Sequence, residues 1–272
     1  MFADTQIIFS DIDGTFLADD HRVGERTLAA VREVLRQGKR FVLVSARMPE
    51  AIYPIIDEIE LSIPLISGGG SLILDEEGKT IFDRRLKAER VGKILRHIEK
   101  EYPAATVNYY AGLHWYVSDS KDPFVRKEAA ITGAKPESAD FISLLERGVL
   151  PNKLLVMADE ALCRQMEKEL GHAFIEFHIV RSSTWLVEIM DKEISKAKGI
   201  AVLLRHYGLE SGQALAFGDN YNDLDMFRLI KNSVAMGNAP DDVKREAAFV
   251  TASNNEEGIW QFLREKCVPR EI

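Results

Sequence analysis

The sequence has few cysteines, no long apolar run and no excess of basic residues, and each absence excludes a class of protein. Two cysteines occur in 272 residues. Cys163 and Cys267 lie far apart and fit neither a zinc-ligand spacing nor a disulfide framework, so we expect two free thiols in a reducing cytoplasm. No apolar stretch approaches the about 20 residues that a membrane span needs. Residues 1–4 lack the basic start of a signal peptide, so we expect none.

The charge balance is slightly acidic, with 35 Lys and Arg against 43 Asp and Glu and a formal net charge of −8. Nucleic-acid binding asks for a basic face, so no nucleic-acid partner is expected. A small anionic substrate stays possible because a bound cation can dominate the field of one pocket. With 46% hydrophobic residues the chain can build a sizeable core. We expect a cytoplasmic monomer or homodimer.

Apolar runs and helical patterns alternate in the first and last thirds of the chain, which predicts a parallel sheet with helices on its faces. The expected strands are 6–10, 40–44, 65–66, 214–217 and 233–236. The expected helices are 26–37, 49–59, 196–207 (ended by Gly208), 222–229, 241–247 and 256–265. Residues 71–74 and 80–82 are predicted to form a hairpin.

The middle of the chain has a different pattern. Helices are expected at 87–100 and 160–170, the second capped by Asp159, and they alternate with runs rich in aromatic and β-branched residues. These runs are 106–110, 113–117, 153–157, 173–180 and 184–189. The pattern predicts an α+β domain with an antiparallel sheet at 83–189. It would be inserted into an α/β core made of 1–82 and 190–272.

Two acidic residues follow the first predicted strand directly. Asp11 and Asp13 stand in the sequence DIDGT, and residues two apart on a strand face the same way. Ligands of open parallel sheets bind at the carboxyl ends of the strands. An acidic pair on a surface turn is the alternative, but the position at the end of an apolar strand favours a functional site.

A second acidic cluster, GDNYND at 218–223, follows the apolar run 214–217. Asp219 and Asp223 bracket one helical turn there. A helix cap would explain one of these residues but not the set.

Two further polar residues stand at strand or helix ends. Ser45 follows the strand 40–44 and can offer a hydroxyl and a nearby N–H to phosphate, whereas Lys196 opens a helix and offers a positive charge. Taken alone, each is more often a turn serine or a solvated lysine. Carboxylates that converge in one pocket need a cation, and hard oxygen ligands suit Mg²⁺. No His or Cys cluster points to zinc.

These four features in this order resemble the haloacid dehalogenase superfamily, in its Cof-type sugar-phosphatase branch with a C2-type cap. DIDGT is similar to the first motif of the family, Ser45 to the second, Lys196 to the third and GDNYND to the fourth. Lys196 rather than Lys198 is assigned to the third motif, because Lys196 stands at the distance before Gly208 that is typical of that branch. The resemblance spans nearly the whole chain.

The resemblance implies a Mg²⁺-dependent phosphatase for small phosphorylated metabolites, either sugar phosphates or phosphorylated cofactors. Asp11 would attack phosphorus and Asp13 would act as acid and then as base. The metal would be held by the Asp11 carboxylate, the Asp13 carbonyl and Asp219, with Asp223 orienting these ligands.

The resemblance also implies phosphate-binding positions and two departures from the family pattern. Phosphoryl oxygens would be held by Ser45, Lys196 and Asn222, with Ala46 and Arg47 beside them. Ala46 stands where the family usually has Gly, and Ser67 where it usually has Asn. A phosphomutase of the same superfamily is one alternative, and a non-catalytic sensor of phosphorylated metabolites is another.

Overall fold

The computed structural model describes residues 4–266, and two sheets organise this part of the chain. Contacts divide it into two units: the first comprises the chain up to Ala46, Ile59–Phe82 and the chain from Ser195 onward, and the second comprises Arg47–Glu58 and Asp83–Ile194. The second unit therefore takes in two segments, 47–58 and 190–194, that the sequence pattern had grouped with the core.

The first unit is built on an eight-stranded sheet. Its strands are β1 (Ile7–Asp11), β2 (Arg40–Val44), β3 (Leu65–Ser67), β4 (Leu72–Leu74), β5 (Thr80–Asp83), β12 (Ala214–Gly218), β13 (Ser233–Ala235) and β14 (Phe249–Val250). Their order is β14-β13-β12-β1-β2-β3-β4-β5. The pairs from β14 to β3 are parallel, and β4 runs antiparallel to β3.

The central strand β1 is buried along its whole length, as expected of a parallel strand covered on both faces. Ile7, Ile8 and Phe9 have no exposed surface, and each such side chain stabilises the fold by about 1.5–3 kcal/mol. Strand β1 therefore anchors the loop that follows Asp11.

The helices of the first unit lie between its strands in sequence, except the last, which follows β14. They are α1 (Glu25–Arg36), α7 (Lys196–Tyr207), α8 (Leu224–Leu229), α9 (Asp241–Glu246) and α10 (Gly258–Lys266). Gly208 ends α7, as predicted. The predicted helix at 222–229 is instead a 3₁₀ turn, Tyr221–Asp223, followed by α8.

The second unit holds a six-stranded sheet, ordered β10-β11-β9-β6-β7-β8. Its strands are β6 (Thr106–Ala111), β7 (His114–Val117), β8 (Glu137–Ser138), β9 (Lys153–Met157), β10 (Phe177–Ser183) and β11 (Leu186–Asp191). All pairs are antiparallel except β7 with β8. The helices of this unit are α2 (Tyr53–Ile59), α3 (Ala88–Glu101), α4 (Pro123–Thr132), α5 (Phe141–Glu146) and α6 (Glu160–Ala173).

One face of this second sheet carries the core of its unit. Tyr109, Leu154 and Val187 lie on that face and pack with residues of α3 and α6 such as Ile94 and Met166. Asp159 caps α6 as predicted, since its carboxylate accepts a hydrogen bond from the N–H of Leu162.

One expectation for the second unit needs correction, and two of its helices were not expected. The strand expected at 173–180 begins only at Phe177, because Ala173 ends α6. Helices α4 and α5 were not anticipated. Their N-caps, Asp122 and Asp140, are the local signals that identify them.

Cys163 is a buried free thiol, whereas Cys267 and residues 1–3 lie outside the described part of the chain. None of the helices between residues 4 and 266 combines the length and the hydropathy that a membrane span requires.

Candidate active site

The candidate site of the first unit is formed where neighbouring parallel strands end. The register pairs Asp11 of β1 with Val44 of β2, and Ser10 with Phe217 of β12. The residues that follow these strands therefore emerge at one edge of the sheet. Asp11, Ser45 and Asp219 are brought together by strand order rather than by sequence proximity.

Lys196, the first residue of α7, forms the electrostatic centre of this edge. Its side chain is buried, and its ammonium lies 2.5 Å from Asp11 Oδ1 and 2.6 Å from Asp223 Oδ1. The two carboxylates hold the pKa of Lys196 above its usual range despite burial. A lysine that is charged and buried between two carboxylates is not the solvated side chain of the alternative interpretation.

Asp223 is held from two directions. Its Oδ1 accepts the bond from Lys196, and its Oδ2 accepts hydrogen bonds from the backbone N–H groups of Asp219 and Asn220 at 3.0 and 3.1 Å. Gly218 permits this close approach, because a Cβ there would lie 2.6 Å from the Asp223 carboxyl carbon. Asp223 thus fixes the turn that carries Asp219.

Asp219 packs directly against the loop that follows β1. Gly14 has φ 80°, and a Cβ at this residue would lie 2.4 Å from Asp219 Oδ2, so glycine is required on both counts. The Thr15 hydroxyl donates to Asp219 Oδ1 at 2.8 Å. The two predicted acidic motifs, DIDGT and GDNYND, are therefore in direct contact.

Burial and neighbouring carboxylates raise the pKa of two groups at this site, Asp11 and Asp219. The pKa of Asp11 lies well above its usual value, mainly because the group is buried and also because Asp223 and Asp219 are close, although Lys196 opposes the shift. Burial and the proximity of Asp223 raise the pKa of Asp219 to about 6, against the lowering effect of the Thr15 hydrogen bond. The single lysine does not balance these negative charges.

One oxygen from each of Asp11, Asp219 and Asp223 lies within 4.8 Å of the others. Such a hard, negatively charged donor set fits a divalent cation such as Mg²⁺, which would relieve the repulsion. Among residues 4–266, this is the one group of three or more His, Cys, Asp or Glu side chains close enough together to hold a metal ion.

Asp13 does not lie on strand β1. The sequence pattern grouped it with Asp11 on the premise that both residues lie on one strand and face the same way, and that premise is wrong. Strand β1 ends at Asp11, and the chain turns at once, since the N–H of Phe16 donates to the carbonyls of Asp11 and Ile12. The side chain of Asp13 is exposed on this turn. The loop, not strand alternation, therefore determines where Asp13 points.

The residues expected to bind phosphate lie on different elements of the structure. Ser45 is buried beside β3, with its N–H donating to the Ile66 carbonyl. Ala46 follows it, and Asn222 is exposed on the 3₁₀ turn before α8. Arg47 belongs to the second unit, where its guanidinium donates to the Ala51 carbonyl at 3.3 Å.

Ser67, the other departure from the family pattern, is fully buried at the end of β3. Its hydroxyl donates to the Leu72 carbonyl at 3.1 Å. The side chain thus stabilises the turn between β3 and β4.

A family model described as haloacid dehalogenase-like hydrolase matches residues 8–263. The chain belongs to this family. The expected superfamily, its Cof-type branch and the α/β fold are thereby confirmed.

Relatives of this hydrolase, among them solved structures, match along nearly its whole length. A haloacid dehalogenase-like hydrolase from Bacteroides thetaiotaomicron superposes with a TM-score of 0.88 at 27% identity, covering 96% of this chain and 99% of its own. A relative in Haemophilus influenzae is 32% identical over 95% of this chain and 97% of its own length. The Escherichia coli protein named 5-amino-6-(5-phospho-D-ribitylamino)uracil phosphatase YbjI is 28% identical, with 95% and 94% covered.

Two residues that contact this hydrolase's acidic cluster were not given roles from the sequence. Thr15 lies inside the first motif, whereas Asn238 comes shortly after β13 and donates to the Gly14 carbonyl at 2.8 Å. The signal for Asn238 is the one that identified the other motifs, a polar residue beyond the carboxyl end of a core strand.

Proposed function

We propose that the chain is a Mg²⁺-dependent phosphatase that hydrolyses small phosphorylated metabolites through a covalent phosphate on Asp11. The observation that carries this proposal is the buried Asp11 carboxylate at the end of β1, paired with Lys196 and close to Asp219. A nucleophile, a fixed positive charge and a metal-binding carboxylate are what phosphoryl transfer requires. The residues 1–82 and 190–272 would supply this catalytic core, and 83–189 the cap.

We propose a role for each residue of the site. Asp11 attacks phosphorus in line, and Lys196 neutralises charge on the phosphoryl oxygens while orienting the nucleophile. Asp13 is exposed, so it can reach the leaving oxygen, donate a proton and then accept one from the attacking water. Ser45, the N–H groups near Ala46 and Arg47, and Asn222 are proposed to hold the remaining phosphoryl oxygens.

The cation would be held by the side chains of Asp11 and Asp219 and by the Asp13 carbonyl. When bound, it supplies charge neutralisation at the phosphoryl group. Asp223 is proposed to act indirectly, because Lys196 and two backbone N–H groups already occupy its oxygens.

The substrate class rests on the relatives. One is named a phosphatase of a phosphorylated ribitylaminouracil, and a Klebsiella pneumoniae relative, 27% identical, is named HMP-PP phosphatase. Both names describe small phosphorylated molecules. A panel of phosphorylated metabolites, scored by released phosphate, would identify the substrate. The cytoplasmic location and the oligomeric state stay predictions.

The nucleophile is tested by Asp11→Asn, which keeps the shape of the side chain and removes its nucleophilic oxygen. We expect phosphate release from a generic phosphate ester to fall by more than about a thousandfold. Asp20→Asn is the matched control, because Asp20 is exposed on the same loop and bonds only to the nearby N–H of Arg22 among the contacts described. Substantial turnover by Asp11→Asn would contradict the mechanism, and an isomeric phosphate product without free phosphate would indicate a mutase.

A further inference from the structure

The side-chain amide of Asn238 uses all of its hydrogen-bonding groups. Its Nδ2 donates to the Gly14 carbonyl at 2.8 Å and, at a longer 3.4 Å, to Asp219 Oδ2. Its Oδ1 accepts from the N–H of Asn254 at 3.0 Å. The reverse orientation would set the amide oxygen against two other oxygens and its NH₂ group against an N–H. These partners therefore fix the amide in one orientation.

The contact to Asp219 complements the one made by Thr15. Thr15 donates to Oδ1 of the Asp219 carboxylate, and Asn238 donates to Oδ2. Two donors from separate loops, one on each oxygen, define the plane of the carboxylate. The space beside it is closed by Gly14, whose backbone packs against the same Oδ2.

Asn238 is itself anchored to a buried residue. Asn254 is 6% exposed, and its amide donates to the Leu17 carbonyl and to Asp19 Oδ1, both at 3.0 Å. The amides of Asn238 and Asn254 therefore hold the loop after β1 at three positions, Gly14, Leu17 and Asp19. An exposed side chain held in this way on three sides is better ordered than a free surface asparagine.

We propose that Asn238 is a positioning residue that sets the orientation of the Asp219 carboxylate and of the Gly14 backbone for divalent-cation binding. This inference rests on the metal dependence of the proposed function. Without the amide, the Asp219 carboxylate keeps a single side-chain donor and can rotate, and the Gly14 carbonyl loses the bond that connects it through Asn238 to Asn254. Groups that orient metal ligands commonly change metal affinity or activity by about 10–100-fold when removed.

The test is Mg²⁺ binding to the full-length protein without substrate, measured by isothermal titration calorimetry. We expect Asn238→Ala to raise the Kd for Mg²⁺ about tenfold. The Mg²⁺ concentration that gives half-maximal activity should rise in parallel, so that excess Mg²⁺ restores most of kcat. The matched control is Asn232→Ala. Asn232 also donates to two backbone carbonyls in the first unit, those of Gly212 and Ala214.

The outcomes separate this inference from the function on which it rests. An unchanged Kd in Asn238→Ala, or an equal change in both alanine variants, would overturn the role of Asn238 while leaving the phosphatase proposal intact. A lower Tm with unchanged Mg²⁺ affinity would show a purely structural contact and would also overturn it. Failure of the unaltered protein to bind Mg²⁺ would refute the metal assignment itself.

Discussion

Replacing Glu50 with Gln should make the second unit less sensitive to alkaline pH. Glu50 lies in a 3₁₀ turn, Pro49–Ala51, and both of its carboxyl oxygens are buried without a hydrogen-bond partner. Burial raises the pKa of Glu50 to about 7, against the lowering effect of its own nearby backbone N–H and of His114, and Glu137 adds to the rise. A buried carboxylate without partners is costly, so the protonated form is favoured.

The sign of the pH dependence follows from this raised pKa. Between the ordinary value of 4.5 and about 7, the folded protein keeps the Glu50 proton while the unfolded chain releases it. The stabilisation from Glu50 is therefore complete below pH 4.5 and is lost as the pH rises through 7. Each tenfold difference in proton affinity corresponds to about 1.4 kcal/mol, so the loss between pH 5 and pH 8 should be about 2–3 kcal/mol.

The assay is urea unfolding at several pH values, followed by tryptophan fluorescence, since Trp115 and Trp185 both lie in the second unit. The free energy of unfolding of Glu50→Gln, relative to the unaltered protein, should increase by about 2–3 kcal/mol from pH 5 to pH 8. Glu58→Gln is the control, because Glu58 is exposed in the same segment. A difference for Glu50→Gln that stays constant over this range would refute the reasoning.

Two further predictions concern the charges of the candidate active site. Removing divalent cations with EDTA should abolish phosphate release, because the uncompensated carboxylates then repel an anionic substrate. Added Mg²⁺ should restore the rate of phosphate release. An unchanged rate in EDTA would show that the metal assignment is wrong. Lys196→Met should lower the free energy of unfolding at pH 7 by about 3–5 kcal/mol, measured by urea unfolding, because it leaves Asp11 and Asp223 buried without their shared cation. Lys198→Met is the control, since Lys198 is two residues away on α7 and is exposed; equal effects of the two substitutions would contradict the buried ion pairs.

Local sequence patterns determined most of the fold and the positions of the acidic motifs. Apolar runs that end in Asp11 and in Gly218 predicted the buried strands β1 and β12, because a strand covered on both faces must be apolar along its length. Asp159 and Gly208 marked helix ends through short-range capping, which depends only on neighbouring residues.

Residue partners across long sequence distances were decided only by the tertiary structure. Lys196 and Asp11 are 185 residues apart, and the sequence shows that each stands near a strand or helix end but not that they pair. The same holds for Asn238, whose partners Gly14 and Asp219 come from two other strand ends. A hydrogen bond of this kind needs atoms placed to within a few tenths of an ångström, and strand order and packing supply that precision.

The sequence by itself thus determined which residue types stand at the carboxyl ends of the strands, since periodicity and apolar runs are local properties. The tertiary structure decided what those residues do to one another. It buried Lys196 between two carboxylates, turned the chain after Asp11 so that Asp13 leaves the strand, and grouped residues 47–58 with the second unit. Burial and charge pairing are properties of the packed chain, and they set the pKa values and ligand geometry on which the proposed chemistry depends.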